Sequence, residues 1–148
     1  MTHWRELWAR RSLVRADAGF WLVLGLMLLL FPLRFLAGVL LAALVHELGH
    51  IFAVYLMSGR ILGIRLHAGG ARIEASPMAP FRTAFCALAG PAFGALTILA
   101  WRWFPELALA GLVQTVFNLL PVPPLDGWVL LRCLIPQKRT GILKNVVL

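Results

Sequence analysis

Residues 35–57 read FLAGVLLAALVHELGHIFAVYLM. As a helix rising 1.5 Å per residue the stretch spans about 35 Å, enough to cross the roughly 30 Å hydrocarbon core of a bilayer. Three ionisable side chains, His46, Glu47 and His50, interrupt an otherwise apolar run. Each costs on the order of 2.5–3.5 kcal/mol at bilayer depth, so such residues usually mark a working site. Their spacing is the HExxH pattern. Helix residues four apart share a face, so two imidazoles can grip one zinc ion while the glutamate beside the first reaches the metal's water.

The rest of the chain fits the same setting. With 61% hydrophobic and 14% charged residues among 148, it lies far outside the soluble globular range and holds one domain, residues 1–148. A net charge of +8 raises nucleic acid as a partner. That reading is rejected, because the basic residues sit between apolar runs rather than on a polar face interleaved with aromatics. Cys86 and Cys133 lack disulfide-like spacing.

The apolar pattern predicts an all-α membrane protein with four transmembrane helices, at about 18–33, 35–57, 85–104 and 107–124, and a weak continuation over 127–135. The fourth is broken by Pro121, Pro123 and Pro124. A signal peptide is rejected for the first run, because no small-residue cleavage site follows and a second run starts after Arg34. Between the second and third spans, glycines and prolines punctuate residues 58–84, and Ile61 to Glu74 alternate loosely, predicting a short β-hairpin. Lys and Arg number four in residues 1–17, one at Arg34, four in 58–84, one at Arg102 and four in 127–148. The positive-inside rule then places both termini in the cytoplasm, with the basic loops against anionic headgroups. The tryptophans suit interfacial belts, and His3 and His67 read as surface histidines.

A catalytic zinc takes three protein ligands and keeps a fourth position open. Position 56 is a leucine, which excludes the metzincin extension of the motif. Glu74 and Asp126 remain as candidate third ligands. Glu74 lies in the hairpin; Asp126 is the only acid of the proline-broken stretch, and broken membrane helices tend to line sites or cavities.

The set HELGH at 46–50, Leu88-Ala-Gly-Pro91 and Asn118-x-x-Pro-x-Pro-x-x-Asp-Gly127 resembles the site-2 protease family of intramembrane zinc metalloproteases. The likeness covers about residues 38–130 and is closest to the compact bacterial branch that processes a sporulation sigma-factor precursor. It implies one zinc per chain held by His46, His50 and Asp126, Glu47 as the catalytic base, and Asn118 as a group holding substrate or the developing oxyanion. Gly69 and Gly70 correspond loosely to a glycine-containing hairpin, which could hold an unwound substrate by strand addition. The implied activity is hydrolysis of a peptide bond in or near a transmembrane segment of a membrane-protein substrate, in the bacterial cytoplasmic membrane. The 27 residues between the second and third spans are too few for a PDZ domain, and no CBS module is expected. Two rivals stand beside this reading: a catalytically silent membrane scaffold that kept the motif, and a metal transporter. The transporter reading is disfavoured because no second acidic or histidine-rich path runs through the spans.

Overall fold

Where the apolar runs give way to proline and glycine, the chain changes direction. In the computed structural model, which describes residues 13–135 and 146–148, a short strand β1 (Val14–Ala16) leads straight into helix α1 (Ala18–Leu30). Asp17 caps α1, its carboxylate accepting from the Phe20 amide at 2.9 Å. The residue before a proline is pushed to extended backbone, and Phe31 adopts it at φ −120, ψ 148, so α1 stops and α2 (Leu33–Leu56) starts afresh after Pro32.

α2 ends on a Schellman turn. Ser58 takes φ 58, its amide donating to Tyr55 O at 3.0 Å and that of Gly59 to Val54 O at 2.8 Å. β2 (Ile61–His67) and β3 (Gly70–Ala75) follow as the expected antiparallel hairpin, with Gly70 at φ +120 where it enters β3. Helix α3 (Pro80–Leu96) continues through a 3-10 turn (Thr97–Ala100). Then come α4 (Pro105–Asn118), an irregular proline-rich segment, α5 (Asp126–Leu134) and strand β4 (Val146–Val147).

The hairpin is half of a larger sheet. The strand order is β1-β2-β3-β4, with β1 parallel to β2 and β4 antiparallel to β3. Ile73 and Leu148 exchange both backbone hydrogen bonds, at 2.8 and 3.1 Å. An all-α fold with an isolated hairpin is therefore corrected to a mostly helical fold with a small sheet. The hairpin edges are partly covered, by residues 14–16 along Ile64 to Leu66 on one side and by 146–148 along Ile73 to Ala75 on the other.

The sheet's inner face, with Ile73 and Ala75, packs on Ala53 and Val54 of α2 and on Cys86 and Ala87 of α3. Cys86 and Cys133 are free thiols.

Among the described residues two helices are long and apolar enough to cross a membrane: Leu33–Leu56, and Pro80–Ala100 with its 3-10 turn. The expectation of four single-helix spans is not met, because α1 has 13 residues and α4 only 14. Pro32 cuts the first short of 33. The second stops at Asn118, where Pro121 to Pro124 prevent further helix. Arg5, Arg10, Arg11, Lys138, Arg139 and Lys144, with His3, Trp4 and Trp8, lie outside the described residues.

Inside the bundle, small residues set the helix spacing. A Cβ on Gly38 would lie 2.9 Å from the Glu106 backbone, and one on Gly94 would lie 2.7 Å from Thr115 Oγ1. Such contacts let backbones approach closely. Large apolar side chains point outward, Leu44, Leu48 and Phe52 among them, while His46, Gly49 and His50 are buried.

Candidate metal centre

Three helices bring the site together at one level. Arg34, near the start of α2, pairs with Glu106, at the start of α4, with Nε and Oε1 3.0 Å apart. His46 lies twelve residues beyond Arg34, and Asn118 twelve beyond Glu106. Both helices rise about 18 Å over that interval. Asn118 Nδ2 accordingly reaches within 3.4 Å of His46 Nε2. α3 runs the opposite way, so Gly90 abuts His50 and Gly94 abuts His46: a Cβ on Gly90 would overlap the His50 ring, and one on Gly94 would sit 3.5 Å from His46 Nδ1.

Asp126 arrives from the broken segment. Gly127, with no side chain, lets the start of α5 lie against the Leu119 and Leu120 carbonyls. The chain thus folds back, and Asp126 is buried beside the two histidines. Its Oδ2 lies 3.1 Å from His46 Nε2 and 3.3 Å from His50 Nε2, and the two Nε2 atoms are 3.1 Å apart.

This triangle fits a metal ion. Tetrahedral coordination at bond lengths of about 2.0–2.2 Å separates neighbouring ligand atoms by about 3.3–3.6 Å, close to the distances seen. Tautomer chemistry agrees. His50 Nδ1 lies 2.8 Å from the Cys86 carbonyl, which can only accept, so that nitrogen carries the hydrogen. In the neutral imidazole Nε2 then presents a lone pair toward a carboxylate oxygen, a contact that is relieved either by a proton on Nε2 or by a metal ion held between the two atoms. The Cys86 carbonyl is the kind of outer partner that orients a ligating histidine. His46 Nδ1, by contrast, is buried with no partner among the described residues.

Glu47 is not in the triangle. Its Oε2 is buried without a hydrogen-bond partner among the described residues, on the same helix turn as His46. A carboxylate oxygen free of a partner can accept a proton.

The other sequence candidates divide. Glu74 stays on the outer face of β3, its Oε1 3.3 Å from Arg65 Nε, and takes no part in the site. Gly69 and Gly70 form the exposed hairpin tip, where the Gly69 amide donates to His67 Nδ1 at 3.0 Å, and they make no hydrogen bond to the metal-site residues. Two supports were not foreseen. The Cys86 carbonyl has no side-chain signal in sequence. Gly90 belongs to the Leu88 to Pro91 motif, whose glycine leaves room for an imidazole.

An open apolar groove of about 560 Å³ runs along the flank of α2, bordered by Leu48, Ile51, Phe52, Tyr55, Ile61 and Phe93; none of the three metal-site residues lines it. His46, His50 and Asp126 are the one group of three or more His, Cys, Asp or Glu side chains among the described residues arranged to hold a metal ion. No known family model matches this chain, and no curated protein matches it either.

Proposed function

We propose that this chain is a zinc-dependent intramembrane endopeptidase of the site-2 protease type, cleaving a peptide bond in or near a transmembrane segment of another membrane protein. One observation carries the reading: a buried His46, His50 and Asp126 triangle inside an apolar helix bundle, with Glu47 next to His46 on the same helix and Asn118 within 3.4 Å of His46.

Two imidazoles and one carboxylate suit zinc, and zinc when bound supplies Lewis acidity, lowering the pKa of a coordinated water and polarising a carbonyl. The chain's own residues do the rest. Glu47 accepts the proton of the attacking water as its oxygen bonds to the scissile carbonyl carbon, and the Asn118 amide donates to the developing oxyanion. The C–N bond then breaks as Glu47 passes its proton to the leaving nitrogen. The apolar groove on the flank of α2 offers a seat for a substrate helix before it unwinds.

For the membrane arrangement, α2 and α3 cross fully. α1 reaches across with the help of extended Phe31 and Pro32, and α4 descends from the Arg34–Glu106 end to the level of the zinc. The sheet end, which carries Arg15, Arg60, Arg65, Arg72 and Arg82, then faces the cytoplasm, and Arg34 and Arg102 mark the other side. His50 lies about 9 Å from the sheet end of α2, so the cytoplasmic side is the shorter route by which water would enter.

The test is co-expression with a library of single-span membrane proteins, comparing wild type with Glu47→Gln. Shortened products that appear only with wild type support the proposal. The same products from both, or from neither across the library, favour a silent scaffold.

A further inference from the structure

The sheet places three arginines side by side. Arg15 on β1 is in register with Arg65 on β2, and Arg65 with Arg72 on β3. Residues directly opposite on neighbouring strands project from the same face, and strands lie about 4.8 Å apart, so the row runs about 10 Å across the sheet. Like charges directly opposite one another destabilise a sheet. Among the described residues a single carboxylate, Glu74, lies within ion-pairing distance of any of the three, and it pairs with Arg65.

The row has a definite location. Ile73 and Ala75 alternate with Arg72 and Glu74 along β3, so the arginines occupy the face turned away from the core. The opposite face packs on Ala53 and Val54, in the last turn of α2, and on Cys86 and Ala87, in the second turn of α3. The sheet therefore lies against the sides of the two long apolar helices near their ends. β1 also continues through Asp17 directly into α1. In a protein whose helices cross a membrane, this is the depth of the lipid headgroups.

We infer that the Arg15, Arg65 and Arg72 row is a binding site for the phosphate of anionic lipid headgroups. Guanidinium groups bind phosphate oxygens in a planar, two-pronged manner that lysine does not reproduce. Neutralising the row by a bound phosphate relieves the repulsion that the strand register builds in. The inference rests on the membrane placement of the helices and is independent of the hydrolytic reading.

The experiment is native mass spectrometry of the detergent-solubilised full chain, titrated with phosphatidylglycerol, with phosphatidylcholine, and with inorganic phosphate. Wild type should retain phosphatidylglycerol at least about tenfold better than phosphatidylcholine. Arg65→Gln with Arg72→Gln should bring the two lipids within about threefold, Arg72→Lys should fall between, and Arg102→Gln, at the other end of the bundle, should match wild type. Inorganic phosphate at equal concentration should not displace the lipid. The inference is overturned if the double variant keeps the preference, if Arg102→Gln loses it equally, or if inorganic phosphate competes as well as the lipid. Should the double variant fail to fold, Arg15→Gln and Arg72→Lys carry the comparison. Failure of the membrane placement would look different: the chain would be absent from carbonate-washed membranes before any lipid is added.

Discussion

Replacing Gly90 by alanine puts the geometry of the candidate metal centre under direct strain. An ideal Cβ at this position overlaps the His50 imidazole, lying 2.7 Å from Cδ2 and nearer still to Nε2 and Cε1. Carbon contacts settle at about 3.5–4.0 Å, so the ring must retreat by about 1 Å, or α2 and α3 must part. The ligand atoms stand only 3.1–3.3 Å apart, and a 1 Å displacement takes Nε2 out of a bond about 2 Å long. Loss of a group that orients a ligating histidine costs about 10–100-fold in metal affinity. Gly90→Ala, which moves the ligand itself, is expected at the upper end, about 100-fold, together with about 1–3 kcal/mol of overpacking strain. Gly25→Ala is the control: among the described residues no atom outside its own helix backbone lies within 4 Å of its Cβ, and it sits inside α1, so it should be neutral or slightly stabilising. Zinc competition against a fluorescent chelator measures affinity, and far-UV circular dichroism confirms that both variants are helical. A helical Gly90→Ala with wild-type zinc affinity would refute the packing of Gly90 on a ligating His50.

Asp126→Ala should lower zinc affinity by at least about 100-fold, whereas Glu74→Ala, which loses only an exposed pairing with Arg65, should leave zinc content unchanged; metal analysis of the two purified variants decides the third ligand. Asn118→Ala should lower kcat by about 10²–10³-fold with zinc retained, as expected for a donor to an oxyanion, and concurrent loss of zinc would instead make Asn118 part of the ligand shell. Reporter fusions after Lys144 and within residues 75–82 should report the cytoplasm and one near Pro105 the opposite side; a non-cytoplasmic signal from 75–82 would overturn the proposed orientation.

Much of the site was legible in sequence because its logic is local. His46, Glu47 and His50 occupy one helix, where spacing alone fixes which side chains share a face. The hairpin was legible from Gly69, Gly70 and the alternation on either side. Asp126 was legible as a candidate because prolines exclude helix between Asn118 and Asp126, but its closeness to His46 depends on Gly127 meeting the Leu119 carbonyl, a contact without a periodic signature. The sheet was the larger miss. β1 and β4 have three and two residues, too short for any alternation to register, and each pairs with a strand far away in sequence. Helix ends moved for a related reason: hydropathy carries on through Phe31 and Leu119, while backbone geometry before and within the proline segments does not.

The central claim is that Glu47 performs hydrolysis at a zinc held by His46, His50 and Asp126. It is tested most directly by assaying purified wild type and Glu47→Gln, reconstituted in vesicles with a single-span substrate taken from the library screen, for cleavage and zinc content in the same preparation. Both preparations should hold one zinc per chain, with cleavage by wild type and a loss of at least about 10³-fold in Glu47→Gln. Cleavage by Glu47→Gln at the wild-type rate, or loss of zinc together with activity, would contradict it.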